Sequence, residues 1–304
     1  MRVTVLVNRG SGTVKKKKLT AESLREMFQR AGVEADVRLL PGRQIPDAAR
    51  EAAKGGAEAV VAGGGDGTIR GVAAVLIGGK IPLGVLPLGT LNHFASDLKI
   101  PNDLAGAIQV IAHGTAQPLD VGEVNGEIFL NNSSIGFYPP IVQARDQEMR
   151  HSKLNKWLAM AVATFKLMPK LSPLDLRISS GDWQVDRKTE VLFVGNSEYR
   201  MSALNHGAPD RLEGGGFLCV YVAHTGSRLA LYGLALAGLF RDVKQTRSVE
   251  DWKLRELRVD VRQTRAIPVA FDGEVSTLRS PLLFRKRVGD LRVIVPSPEP
   301  PAPA

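Results

Sequence analysis

A chain of 304 residues with 44% hydrophobic and 23% charged side chains is long enough to bury two cores, so nothing demands a disulfide or metal staple. The single cysteine, Cys219, excludes an intrachain disulfide and fits a reducing compartment. A formal net charge of +9 points to anionic partners, while 6% aromatic residues with no aromatic–basic interleaving argue against nucleic acid.

The N-terminal apolar run is too short for a signal peptide. Arg2 to Asn8 (RVTVLVN) is a β-branched run that reads as a buried strand. A loop, RGSG, and four lysines, Lys15 to Lys18, precede a helix from about Thr20 to Ala31, with Leu24, Met27, Phe28 and Ala31 on its apolar face. EADVRLLP is a second strand, DAAREAAKGG a helix stopped by glycines, and AEAVVAG a third strand running into Gly63, Gly64 and Gly65. Ile69, Val72, Val75 and Leu76 then mark a helix face, IPLGVLPLG a fourth strand, and TLNHFASDL and DLAGAIQVIAHG two further helical pieces. Such alternation implies a parallel sheet with helices on both faces.

The pattern changes after Pro118. LDVGEVNGEIFLNNSSIGF reads as two strands joined at Asn125-Gly126, and strands follow at LDLRISS, TEVLFVGN, GGFLCVYVAH, WKLRELRVDV, IPVAFDGEV and DLRVIVP. The expected architecture is an α/β nucleotide domain over residues 1–122, then a mostly antiparallel β domain over 123–290. Two helical insertions interrupt the second domain, Leu154 to Met168 and Ser227 to Phe240. The apolar stretch Leu229 to Phe240 is shorter than the roughly 20 residues a spanning helix needs. Residues 296–304, PSPEPPAPA, read as a disordered tail, and the run Arg285 to Arg287 as a solvated face.

A strand that ends in glycines and feeds a helix makes an anion site, because bare backbone turns its N–H groups toward a phosphate and the helix N-terminus adds positive potential. Gly64-Gly65-Asp66-Gly67-Thr68 has this form. A carboxylate repels phosphate directly, so Asp66 suits Mg²⁺ or its bound water, and Thr68 adds a hydroxyl. Alone, the stretch also reads as a strand-to-helix turn without a ligand. Two more glycine corners lie at strand ends, NRGSG (Asn8 to Gly12) and PLGTLNHFA (Pro87 to Ala95), and parallel strands bring such ends to one edge. Lys15 to Lys18 follow the first corner, where cations could meet phosphate. Neither a P-loop nor a dinucleotide fingerprint is present.

GGGDGTIRGV followed by LGVLPLGTLNHFASDLKIP resembles the diacylglycerol kinase catalytic-domain family, which includes bacterial lipid kinases and the sphingosine and ceramide kinases. LDVGEVNGEIFLNNSSIGF and VAFDGEV are similar to its later blocks. GGDGT alone is shared with NAD kinases; its combination with PLGTxNxxA and a late DGE is specific. The resemblance implies ATP- and Mg²⁺-dependent phosphoryl transfer to a lipid hydroxyl, in a cleft between the two domains. The last strand, Leu291 to Val295, would return to the first. It implies that Asn8, Ser11 and Gly12 contact nucleotide and that Gly64, Gly65, Gly67 and Thr68 form the phosphate loop with Asp66 acting on Mg²⁺. Gly89, Thr90 and Asn92 would complete the nucleotide pocket, and Glu274 of Asp272-Gly273-Glu274 would be the general base or orienting group for the acceptor hydroxyl. The same triplet also reads as a hairpin turn. The resemblance implies a lipid substrate and a cytoplasmic protein peripheral to the anionic inner membrane surface, and it is compatible with a homodimer.

The sequence departs from the family pattern in three places. His93 stands where many members have Asp, and Arg9 where proline is common. Gly214 and Gly215 stand where bacterial members carry aspartates of a structural Mg²⁺ site, with Asp210 and Glu213 near by. LNKWLAMAVATFKLMPKL places Leu154, Trp157, Leu158, Ala161, Phe165 and Met168 on one stripe among lysines, which suits either an interfacial helix or a core-packing one. A kinase of a soluble acceptor, in the manner of NAD kinase, and a catalytically silent lipid-binding protein stay open as alternatives.

Overall fold

The computed structural model describes residues 1–151, 156–167, 172–197, 215–223 and 249–297. It divides into two compact units. One is Met1–Val121 with the end of the chain from Val288; the other is built from described residues between Gly122 and Arg287.

The first unit is the expected α/β layer. Strands β1 (Arg2–Asn8), β2 (Glu34–Leu40), β3 (Ala59–Gly64) and β4 (Leu83–Pro87) pair in parallel in the order β2-β1-β3-β4. Val3, Val5 to Val7 and all of β3 are buried, as expected where helices cover both faces of a sheet. Those helices are α2 (Ala21–Arg30), α3 (Ile45–Lys54), α4 (Asp66–Leu76) and α6 (Leu104–His113), with the shorter α1 (Gly12–Lys17) and α5 (His93–Asp97). Thr20 opens α2 with a capping box in which its hydroxyl accepts from the Ser23 N–H and Ser23 Oγ accepts from the Thr20 N–H. On α4 the side chains of Ile69, Val72 and Leu76 are buried, the stripe read from periodicity. Val293 pairs in parallel with Leu83, so the last strand joins this sheet.

One segment differs from the reading. Residues 12–17 form a helix, α1, with Lys15, Lys16 and Lys17 in its last turn and Lys18 in the left-handed conformation just beyond. Cations there meet the negative end of the helix, away from its Ser11 cap. The four lysines therefore lie on a helix and its left-handed end and not in the loop itself.

The second unit is mostly antiparallel. Strand β5 (Thr115–Val124) leads into β6 (Glu127–Phe129), β7 (Asn132–Gly136), α7 (Tyr138–His151) and α8 (Lys156–Leu167). Strands β8 (Leu174–Ser180), β9 (Trp183–Thr189), β10 (Val191–Gly195), β11 (Leu218–Ala223), β12 (Val249–Leu254), β13 (Glu256–Val261), β14 (Ala266–Phe271), β15 (Glu274–Arg279) and β16 (Leu282–Val295) follow. One sheet runs β12-β11-β10-β7-β14-β15; the start of β16 pairs with β13, β13 with β8 and β8 with β9 in another. Their facing side chains, among them Phe129, Ile135, Leu192, Val259, Phe271 and Phe284, make one apolar core.

Helix α7 is absent from the sequence reading; its two prolines, Pro139 and Pro140, fall in the first turn, where no N–H has an intrahelical partner to lose. Helix α8 buries Ala159 and Ala163, four positions apart, and Lys166 pairs with Glu148 of α7. The insertion from Ser227 to Phe240, together with Asp210, Glu213 and Gly214, lies outside the described residues. Of Arg285 to Arg287, Arg285 is exposed as read, while Lys286 and Arg287 are half-buried: Arg285 and Arg287 both bind the buried Glu123 carboxylate, at 2.7 and 3.0 Å, and Lys286 binds Asn196.

Asn125-Gly126 turns the β5–β6 hairpin, both residues at positive φ (49° and 88°) as a type I′ turn requires. The Asn125 amide also donates to Arg279 O (3.0 Å) and Pro281 O (3.1 Å) and accepts from Leu283 N–H (2.7 Å). Replacing Asn125 by Gly keeps the turn but removes these bonds, and should lower unfolding stability by about 1–2 kcal/mol in urea titrations. An unchanged midpoint would show that water replaces the amide at no cost.

Candidate functional site

The parallel register carries the ends of β1, β3 and β4 to one edge: Val7 lies opposite Gly63, and Gly64 opposite Pro87. The loops that leave these ends are bonded to one another. Asn8 Nδ2 donates to Thr68 Oγ1 (3.1 Å), while Asn8 Oδ1 accepts from its own loop at Gly10 N–H (2.9 Å). Leu88 N–H donates to Gly64 O at 2.9 Å. The two Asp66 oxygens accept from the backbone N–H groups of Phe94 (3.1 Å) and His93 (3.3 Å), so the GGDGT carboxylate caps the start of α5.

Glycine is required here by close approach. A Cβ on Gly64 would stand 2.5 Å from Thr68 Oγ1, and one on Gly89 would stand 2.5 Å from Gly65 Cα. Asn92, buried and left-handed (φ 49°), turns the third corner, and its Oδ1 accepts from Gly89 N–H at 2.9 Å. Thus Asn8, Gly64, Gly65, Asp66, Thr68, Gly89 and Asn92 form one bonded group. Gly67 lies within it, in the first turn of α4, and Thr90 is exposed beside it. Ser11 N–H donates to Asn8 O (3.0 Å), and Gly12 begins α1 in open space.

The corner offers hydrogen-bond donors at a helix start. Gly65 O accepts from both Thr68 and Ile69, leaving the Asp66 and Gly67 N–H groups at the start of an 11-residue helix without an intrahelical acceptor. Gly89→Ala drives the third corner off the first turn of α4. We expect nucleotide affinity to fall at least tenfold by calorimetry, in line with the 1–3 kcal/mol typical of overpacking. The control is Gly71→Ala, whose added carbon meets only Pro46 at 3.7 Å and which should bind as the wild type does. Equal affinity in both variants would show that the close approach is dispensable.

Glu274 belongs to the second unit. The run IPVAFDGEV is not one strand: the hairpin turn read at its DGE triplet is present, with Phe271 paired to Glu274 and Asp272 and Gly273 turning at φ 48° and 86°. Glu274 is exposed and opens β15. Sequence reasoning missed what anchors it. The Asp272 carboxylate accepts from three successive backbone N–H groups, Leu130 (2.8 Å), Asn131 (2.7 Å) and Asn132 (3.1 Å), and Asp272 N–H donates to Asn132 O (3.0 Å). This grip also breaks the expected second strand of LDVGEVNGEIFLNNSSIGF between β6 and β7. The only signal in the sequence is the polar pair Asn131-Asn132 within an apolar run.

The model of the diacylglycerol kinase catalytic domain matches residues 2–124, the segment that carries all three glycine corners. A diacylglycerol kinase of Bacillus subtilis (strain 168) is 30% identical over 213 residues, 69% of either chain. The chain belongs to the diacylglycerol kinase catalytic-domain family. A "Probable lipid kinase YegS-like" protein of Pseudomonas aeruginosa is 35% identical over 148 residues, and the match spans about half the length of that relative (48% of each chain). Two solved structures from Bacillus anthracis str. Sterne share the fold, with TM-scores of 0.73 and 0.67 at 21% and 18% identity over 97% of this chain; the second is described as a diacylglycerol kinase.

Family members are associated with ATP and Mg²⁺. Among the described residues no group of three or more His, Cys, Asp or Glu side chains is placed to hold a metal. Mg²⁺ at a nucleotide needs only one or two carboxylates besides phosphates and water. Asp66 meets that need, since each oxygen accepts one N–H bond and keeps a lone pair. Asp66 therefore fits as a ligand. At the later block only Gly215 is described, and it brings no carboxylate.

Proposed function

We propose that this protein is a lipid kinase that transfers the γ-phosphate of ATP to the hydroxyl of a lipid such as diacylglycerol. The observation that supports the reading is the linking of three strand-end corners at one sheet edge through Asn8, Asp66 and the Gly65–Gly89 contact. Family membership supports the same chemistry.

The first-turn N–H groups of α4 and the loops at Ser11-Gly12 and Gly89-Thr90 would bind the nucleotide, with Thr68 and Asn92 keeping those loops in shape. Asp66 would hold Mg²⁺, which when bound neutralises phosphate charge. Glu274 would accept the proton of the lipid hydroxyl as its oxygen forms a bond to the γ-phosphorus and the bond from that phosphorus to the β–γ bridging oxygen breaks, releasing ADP. The protein would work at the anionic inner membrane surface, to which its net charge of +9 is complementary. Among the described residues no helix is long and apolar enough to cross a membrane.

The test is incubation with radiolabelled ATP and Mg²⁺ against mixed micelles of dioleoylglycerol, ceramide or sphingosine, and against NAD. We expect label in the organic phase, with the phosphorylated lipid identified by mass spectrometry. Label confined to the aqueous phase would overturn the reading, and label on NAD would replace it with a soluble-acceptor kinase.

A further inference from the structure

We infer that Asn196, held by Lys286, is a positioning residue for Glu274. The inference rests on the proposed role of Glu274 as the base.

Asn196 lies just after β10, far in sequence from the DGE block, yet it closes the other side of the segment that Asp272 grips. Asn196 Nδ2 donates to Leu130 O (2.9 Å), and Asn196 N–H donates to Asn131 O (2.9 Å). With the three N–H groups on Asp272 and Asn132 O on the Asp272 N–H, every backbone donor and acceptor of Leu130, Asn131 and Asn132 is taken by two residues. Such complete use leaves the segment no alternative arrangement.

Lys286 decides which way the Asn196 amide faces. Its ammonium donates to Asn196 Oδ1 (2.9 Å) and to Asn196 O. An ammonium has no acceptor, so it selects the oxygen side of the amide and leaves Nδ2 for Leu130 O. Asn196 is 3% exposed and Asn131 4%, so water is a poor substitute at either. The bonds run without a gap from Lys286 on β16, through Asn196 and residues 130–132, to Asp272, two residues before Glu274. An exposed carboxylate at a hairpin tip needs such an anchor if it is to meet a hydroxyl within hydrogen-bond reach, and a displacement of about 1 Å costs on the order of 100-fold in rate.

The experiment compares Asn196→Ala and Lys286→Met with the wild type, each also combined with Glu274→Gln. Radiolabelled ATP and dioleoylglycerol micelles give kcat and KM, and hydrogen exchange is followed at residues 130–132. We expect kcat to fall about 10- to 100-fold with KM for ATP within about twofold, and amide exchange at 130–132 to accelerate. In the Glu274→Gln background neither change should lower the residual rate further, because a residue that acts through the carboxylate has nothing left to position. A residue needed only for folding would lower it again, and that result overturns the inference. So does a full kcat in Asn196→Ala, or unchanged exchange at 130–132 in both single variants. A Glu274→Gln protein that turns over like the wild type overturns the inference together with the base assignment. Wild-type protein that phosphorylates no lipid overturns the proposed function and the positioning role with it, whereas the exchange data report on the clamp whether or not the protein turns over.

Discussion

Glu274→Gln turns over lipid about 10²- to 10⁴-fold more slowly than the wild type, with unfolding unchanged: this is the first expected result, and its size is that of a lost general base. Glutamine keeps the shape of the side chain and cannot take a proton from a hydroxyl. Glu274 is exposed, so the change leaves the apolar core of the second unit untouched. The anchoring bonds belong to Asp272, which the substitution does not alter. Nucleotide binding, measured by calorimetry without lipid, should also be unaffected, because the proposed nucleotide corners are made of other residues. Steady-state assays on dioleoylglycerol micelles, with thermal melting alongside, check the prediction. Full activity would remove Glu274 from the chemistry.

Asp66→Ala should have a comparable effect for two reasons at once. The carboxylate is the proposed Mg²⁺ ligand, and loss of such electrostatic stabilisation costs about 10²- to 10³-fold in kcat. It is also the acceptor for the His93 and Phe94 N–H groups, so its removal unties α5 and the PLGT corner from α4. A lost helix cap costs about 1 kcal/mol, which predicts a small fall in stability as well. Asp66→Asn separates the roles. It keeps one oxygen for a backbone N–H and loses the charge, so it should stay nearly as stable as the wild type and be almost as inactive as Asp66→Ala. An active Asp66→Asn would mean that Asp66 serves only to cap α5. The readouts are kcat, the Mg²⁺ dependence of nucleotide binding and the urea midpoint.

The first unit was legible in the sequence because each of its signals is local. Val3 to Val7 announce a strand buried on both faces, Ile69, Val72 and Leu76 a helix face, and Gly63 to Gly65 a bare-backbone corner at a strand end. Helix α1 was missed because six residues carry too little periodicity to register, and the lysine run hid it.

The sequence by itself determined the GGDGT and PLGT glycine corners, through residue type and their place at strand ends, while the DGE block stood out only through its resemblance to the family. Tertiary structure decided how they are held. Asn8 reaches Thr68 across 60 positions, Asp66 reaches Phe94 across 28, and Asp272 reaches Leu130 across 142. Asn196 and Lys286, 90 positions apart, carry no local pattern at all. A hydrogen bond between distant residues needs only one donor and one acceptor, which almost any polar residue supplies. Its partner is therefore chosen by the path of the chain and is not written in the residue type.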